Sequence, residues 1–220
     1  MRTGPQLSMS VSGRLLQVVS GESSSPPFDE GDPVAGQIAD AALRQFELFG
    51  VARSTMEDVA RRAKVSRVTV YRRFPSKAAL VDAVAMRELR GFLDDLNAAV
   101  AEIEDPGDMI VEGFVFTLHA VRTHRLLQRL LESEPEAVLP HLTVDGAPFI
   151  AAAREFIVDR RRQLDPDRDE DDSRTVADIV VRLILSYLLT PQATVDLDDP
   201  AAARDYARRY LRPLLLRTDD

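Results

Sequence analysis

The stretch from Thr55 to Leu80, TMEDVARRAKVSRVTVYRRFPSKAAL, constrains the fold more than any other part of this chain. Its pattern predicts two short helices, a tight turn between them, and the start of a third helix. Thr55 is a good N-cap, and Asp58 stands where it completes a capping-box-like pair. Met56, Val59, Ala60 and Ala63 recur at helical spacing and define one apolar face. Ala63-Lys64-Val65 reads as the turn. Ser66 caps the second helix, within which Val70 and Phe74 point the same way, inward. Arg67, Val68, Thr69, Tyr71, Arg72 and Arg73 make up its other side. Pro75 ends it and Ser76 caps the next helix.

A short helix, a turn and a basic, hydroxyl-bearing second helix suit the DNA major groove, where the first residues of the second helix meet base edges. An ordinary helical hairpin with a solvated basic face fits the same charges. The combination of cap, buried pair, hydroxyl-aromatic-arginine run and Pro-Ser-Lys exit favours the DNA reading.

Charge placement supports it. The formal net charge is −8, which argues against indiscriminate nucleic-acid binding. Yet residues 34–90 hold 11 Lys and Arg against 6 Asp and Glu, while residues 91–220 hold 15 against 26. A basic module on an acidic body binds phosphates locally while the body repels stray DNA.

Residues 1–32, rich in Ser, Gly and Pro, read as a disordered extension. Pro33, after Asp32 as cap, opens a helix to Phe49 with Ile38, Ala42, Phe46 and Phe49 on one face and Gly50 as its C-terminal cap. Residues 33–77 thus make a three-helix module. From Ser76 the apolar pattern Leu80, Val84, Leu89, Phe92, Leu93, Leu96 runs on as a rod of roughly 37 Å. Asp105-Pro106-Gly107 breaks it, and Asp108 is expected to cap a helix that is apolar on more than one face. Next come a short helix (125–132), a Pro-punctuated loop through Pro135 and Pro140, and a helix opened by Pro148. An acidic loop, Asp165 to Asp172, precedes a helix capped by Ser173, and Pro200 opens the last one. The expected fold is all-α, with about nine helices.

Absences narrow the function. There is no cysteine, hence no disulfide and no thiolate metal site or nucleophile. No apolar run approaches the roughly 20 residues of a membrane span, and the N-terminus lacks a signal-peptide layout, so a cytoplasmic protein without membrane contact is expected. Asp165, Asp167, Asp169 and Asp171 alternate as in a calcium loop, but Glu170 stands where Gly is needed and Val176 where the bidentate Glu belongs. His119, His124 and His141 lack metal spacing. No Gly-x-Ser-x-Gly and no P-loop occurs. No metal, cofactor or catalytic residue is assigned.

The run Phe46…Phe49-Gly50…Thr55-x-x-Asp58-Val59-Ala60-x-x-Ala63-x-Val65-Ser66-x-x-Thr69-x-Tyr71-x-x-Phe74-x-Ser76-Lys77-x-x-Leu80 resembles the signature of the TetR (tetracycline-repressor-like) transcriptional regulators. The motif-level likeness spans about Ile38 to Leu80, and the rest agrees in architecture. The resemblance implies a homodimer that binds a near-palindromic double-stranded operator and represses transcription. It implies that residues 78–220 form an effector-binding and dimerisation domain, joined to its partner through helices near 173–190 and 200–212. It also implies that an effector tilts the fourth helix and spoils the spacing of the recognition helices. Matched to the motif, Thr55, Tyr71 and Lys77 contact phosphates, while Arg67, Thr69 and Arg72 face bases. Val68 meets a thymine methyl, Arg73 goes either way, and Ser66 belongs to the same DNA-facing set.

The chain departs from the pattern at Lys64, where the family commonly has Gly, and at Ala78-Ala79, where acidic residues are usual; the latter is expected to leave Lys77 unpaired. Phe92, Phe114, Phe116, His119, Phe149, Phe156 and Tyr187 are the candidate lining of an effector site, and their apolar character suggests a small hydrophobic or aromatic ligand. Two further readings stay open: a helical DNA-binding or interaction protein without an effector, and a carrier or enzyme with a vestigial basic module.

Overall fold

A computed structural model describes residues 32–215, apart from Asp145 and Arg168. The extension expected over residues 1–32 therefore lies outside the described residues, save Asp32. The described chain is all-α: α1 Pro33–Phe49, α2 Met56–Arg62, α3 Arg67–Arg73, α4 Lys77–Val100, α5 Pro106–Thr123, α6 Arg125–Ser133, α7 Pro135–Leu142, α8 Ala147–Leu164, α9 Glu170–Leu189 and α10 Pro200–Tyr206. Helix α10 continues through a π-helical turn, Ala207–Leu211, into α11 Arg212–Leu215. No described helix is long and apolar enough to cross a membrane.

One helix is additional to those expected. Helix α7 occupies the stretch whose prolines suggested a loop. Pro135 stands in its first turn, where an N–H is dispensable, and Pro140 forfeits only the bond to Glu136 in an eight-residue helix. Two expected caps also shift. Asp105, not Asp108, caps α5 by accepting the Asp108 N–H at 2.8 Å. Asp169, not Ser173, caps α9 by accepting the Asp172 N–H at 2.8 Å. Glu170, Asp171 and Asp172, expected in a loop, thus form the first turn of α9, where carboxylates complement the helix dipole.

The N-terminal module folds around Ile38, Ala42, Phe46, Val59, Val70, Phe74 and Leu80, all buried. Phe49, which spacing placed on the same face, is 45% exposed at the helix end. The module's core is not self-contained: Leu126 of α6 is buried in it and Leu130 packs against it. Helix α4 leaves this core at Val84 and enters a second one, where Leu96 and Val100 meet Met109 and Ile110 of α5 and Val176 and Val180 of α9. Helix α5 is central, as its apolar circumference predicts; Val111, Phe114 and Leu118 also pack against Ala203, Ala207 and Leu211 of the last rod.

Lys64 has φ 54°, a left-handed conformation for a residue with a Cβ. That costs about 1–2 kcal/mol, and the extra unfolded-chain freedom of glycine takes back only part of it. Lys64→Gly is expected to raise the melting temperature; an unchanged or lower midpoint would refute the strain argument.

Two carboxylates tie α5 to the last rod. Arg204 donates to Glu112 through Nε (2.6 Å) and Nη2 (2.8 Å), and these bonds hold the Glu112 carboxyl below its usual pKa. The Asp108 backbone N–H, helped by Arg212, does the same for Asp105. Depressed carboxylates contribute stability that is complete above the unfolded pKa of about 4 and fades as pH falls through the folded values. The melting temperature should therefore drop on acidification below about pH 4.5. Arg204→Met should flatten that drop; an identical acid profile would exclude the pair as its source.

Candidate functional site

Helix α2 is set by a reciprocal cap. The Asp58 N–H donates to Thr55 Oγ1 (3.1 Å), and the Thr55 N–H donates back to Asp58 Oδ2 (3.1 Å). The Thr55 hydroxyl also donates to Asp58 Oδ2 at 2.6 Å, and this pairing holds the Asp58 carboxyl below its usual range. Helix α3 comes after a turn that buries Ala63, and Ser66 caps it by accepting the Thr69 N–H at 3.0 Å. Val70 and Phe74 anchor α3 at 0% and 2% exposure. Gln37 Nε2 donates to the Ala63 carbonyl (2.8 Å), and Arg62 Nε donates to Gln45 Oε1 (2.9 Å), so α1 braces the C-terminal end of α2 at two points.

With Val70 and Phe74 turned inward, the opposite face of α3 points outward. Val68 is 76% exposed and Tyr71 40%, and Arg67 and Arg72 flank them in solvent. The Arg67 guanidinium lies 5.4 Å from the Tyr71 ring centroid, with Nη1 at 3.2 Å from Glu57 Oε1 of α2. Arg72 makes no ion pair among the described residues. Two guanidinium forks beside an exposed valine and a phenol form a surface with donors for guanine, an apolar contact for a thymine methyl and a hydroxyl for a phosphate.

The other residues of the expected DNA-facing set are already engaged. Arg73 is ion-paired with Asp32, the cap of α1. Ser66 and Thr69 share a hydroxyl hydrogen bond of 2.8 Å. Lys77 is not unpaired, contrary to the expectation from Ala78-Ala79: its Nζ donates to the Ala52 carbonyl at 3.1 Å. The loop between α1 and α2 folds back to within reach of the α4 start, a proximity that no local sequence signal announces. An ammonium has three donors, so two remain for a phosphate.

Behind the module, α4, α5, α8 and α9 line a partly open cavity of about 60 Å³. Its wall comprises Leu96 and Val100 of α4, Met109, Ile110, Gly113, Phe114 and Thr117 of α5, Phe156, Ile157 and Arg160 of α8, and Val180 and Ile184 of α9. Of the seven candidate lining residues, Phe114 and Phe156 are in this wall. Phe92 and Phe116 pack on each other instead, ring centroids 6.0 Å apart. Tyr187 joins Tyr206 through a 2.8 Å hydroxyl contact, with Phe114 edge-on at 6.4 Å. Partial burial and that contact push the Tyr206 phenol up to about 12. Phe149 is half-buried outside the wall, and His119 is exposed. Several of the candidate aromatic residues fill space against one another, and Gly113 and aliphatic side chains join Phe114 and Phe156 along the void.

Sequence reasoning missed one buried acid. Glu134, between α6 and α7, is 7% exposed, and its Oε2 accepts the Ala52 N–H at 2.8 Å. A lone Glu before a proline carries no signal of a contact 82 positions away in sequence.

The family model described as bacterial regulatory proteins, tetR family, matches residues 38–84, and that of the bacterial Tetracyclin repressor C-terminal domain matches residues 105–208. An uncharacterized HTH-type transcriptional regulator of Mycobacterium tuberculosis is 29% identical over 157 residues, covering 71% of this chain and 75% of the relative. The HTH-type transcriptional regulator AlkX of the same species is 27% identical over 156 residues, covering 70% and 72%. The crystal structure of the TetR family repressor AlkX from Dietzia sp., implicated in biodegradation of n-alkanes, superposes with a TM-score of 0.58 at 22% identity, covering 83% of this chain and 96% of that one.

Proposed function

Because this chain belongs to the TetR family of helix-turn-helix transcriptional regulators, we propose that it is a homodimeric repressor of a near-palindromic operator, released when a small hydrophobic molecule enters the cavity behind α4. The observation that carries the DNA half is the outward face of α3, where Arg67, Val68, Tyr71 and Arg72 are exposed on a helix anchored by Val70 and Phe74. Arg67 and Arg72 face bases; Tyr71 and Lys77 meet phosphates. The pairing of α9 and the last rod with a second copy is supported by Ile179 and Tyr210, 37% and 52% exposed in the single chain.

The effector half rests on where the cavity lies. A drug-sized ligand needs roughly 300 Å³ or more, so a void of about 60 Å³ takes one only if its walls part. Leu96 and Val100 put α4 in that wall, and the opposite end of the same helix carries Lys77. Parting the wall therefore tilts the rod on which the module sits. A coupling of about 1–3 kcal/mol between effector and operator results, or roughly 5- to 150-fold in affinity. The n-alkane connection of the Dietzia relative is consistent with an apolar effector.

The test is binding-site selection from random DNA, repeated with a panel of hydrophobic compounds. Arg67→Ala is expected to cost about 1–3 kcal/mol at particular base pairs. Lys77→Ala should weaken all sequences alike and reduce the salt slope by about one phosphate. Identical sequence dependence in the two variants would overturn the assignment of roles, and failure to recover any palindrome would overturn the operator.

A further inference from the structure

The backbone of Ala52 is held at both its N–H and its carbonyl by charged side chains from different helical elements. Its N–H donates to Glu134 Oε2 at 2.8 Å, and its carbonyl accepts from Lys77 Nζ at 3.1 Å. Lys77 is the first residue of α4. Glu134 is the joint of α6 and α7, closing one helix and opening the next. We propose that Glu134 is a positioning residue for DNA binding: it clamps the α1–α2 loop to the end of α6 and so sets the orientation of the α2–α3 reader on the body.

Glu134 is placed unusually for an acid ahead of a helix. It makes no side-chain hydrogen bond to the first turn of α7, which an acidic N-cap ordinarily makes. It is buried to 7% exposure yet carries no ion pair among the described residues. A buried carboxylate is costly unless hydrogen-bonded, and the backbone donor that meets it is the Ala52 N–H of the DNA module.

The loop is shaped to receive it. Gly50 has φ 79° and ψ 168°, a combination essentially confined to glycine. A Cβ there would stand 2.0 Å from Glu134 Oε1, so the carboxylate occupies the space a side chain would fill. The rest of the loop is internally bonded: the Ser54 hydroxyl donates to the Gly50 carbonyl (2.6 Å) and the Ser54 N–H to the Val51 carbonyl (3.2 Å). Ser54 immediately precedes Thr55, the cap of α2. A loop this tightly tied transmits a displacement at Ala52 to the start of α2 instead of absorbing it.

Helix α6 is equally tied. Leu126 and Leu130 sit in the module's core, and His124, its N-cap, places Nε2 at 3.3 Å from Glu88 Oε2 of α4. The Ala52 backbone is therefore where two routes from the cavity meet, one along α4 to Lys77 and one from α5 through α6 to Glu134. A relative shift of α4 against α6 is registered there as a change at the backbone of one residue. This last step rests on the effector reading under Proposed function; the clamp itself does not.

The experiment compares wild type, Glu134→Ala and Glu134→Gln in the full chain. Backbone hydrogen exchange in peptides spanning residues 50–56 is measured without DNA, and affinity is measured for the duplex recovered by site selection. Gln keeps a carbonyl oxygen for the Ala52 N–H, so it should stay close to wild type in both measurements. Ala removes the acceptor; exchange in this segment should accelerate about tenfold, with operator affinity falling by a similar factor. Peptides in α9 should exchange as in wild type, which separates a local release from general unfolding. Unchanged exchange at 50–56 in a folded Glu134→Ala variant overturns the clamp, and a Gln variant as impaired as Ala overturns the hydrogen bond as its cause. Accelerated exchange with unchanged operator affinity overturns the positioning role. Failure to recover any duplex counts against the operator reading alone, since the exchange arm needs no DNA.

Discussion

Gly50→Ala is expected to destabilise the protein by about 3 kcal/mol, from backbone strain of about 1–3 kcal/mol and the loss of a buried hydrogen bond worth about 1–2 kcal/mol. The strain arises because φ 79° with ψ 168° brings a Cβ against the residue's own backbone. The second contribution is specific to this fold. The new Cβ would lie 2.0 Å from Glu134 Oε1, and Glu134, being the flexible partner, is the group that moves. It cannot move and still accept the Ala52 N–H. A generic C-terminal glycine cap would show the first contribution only. In a Glu134→Ala background, the clash and the bond are both already absent, so Gly50→Ala should cost less there. A urea double-mutant cycle measures this; strict additivity would show that the two residues do not act through one contact.

Phe114→Ala is expected to remove about 3–5 kcal/mol. Phe114 is 1% exposed, stacked on Tyr206 with centroids 6.2 Å apart and edge-on to Tyr187. Against a typical total of about 5–15 kcal/mol, that loss threatens folding at physiological temperature. The residue also lines the cavity, and a conservative Phe114→Leu separates its two roles. Leucine preserves much of the buried volume at a smaller cost while changing the cavity wall, where the proposed effector would bind. Urea midpoints with thermal shifts against the hydrophobic panel read both effects. A Phe114→Ala midpoint close to wild type would mean that the aromatic cluster contributes little and the wall collapses freely.

The DNA module is legible in the sequence because its signals are local. Thr55 and Asp58 are three apart, Ser66 precedes its helix, and Val70 and Phe74 repeat at one helical turn. Lys64 is legible as a strained turn residue for the same reason, since a helix-turn-helix corner demands a left-handed φ whichever residue occupies it, and it is found at 54°. Prolines mislead where local propensity is read too strictly: Pro140 is inside a short helix. Caps slip by a few residues where several candidate side chains compete, as at Asp105 against Asp108 and Asp169 against Ser173.

The candidate effector lining is legible only in outline. Apolar aromatic residues are equally suited to filling a core and to lining a void, and spacing does not distinguish them. Phe92 and Phe116 meet each other, Tyr187 meets Tyr206, and His119 faces solvent, while Phe114 and Phe156 share the wall with Gly113 and aliphatic residues that carry no special mark. Which side chains border a gap is settled by how four helices from distant parts of the chain pack.

The amino-acid sequence by itself determined the all-α class, the reader helix with its inward and outward faces, and the family, because each depends on residues within one or two turns of one another. Only the tertiary structure decided that Lys77 and Glu134 close on the backbone of the same residue, that Arg73 is spent on Asp32, and that α4 bounds a cavity. The two bonds to Ala52 join residues 25 and 82 positions apart. Burying the apolar faces of α4, α5 and α6 brings these polar groups together, and Glu134 sits where an unpaired buried carboxylate would be costly.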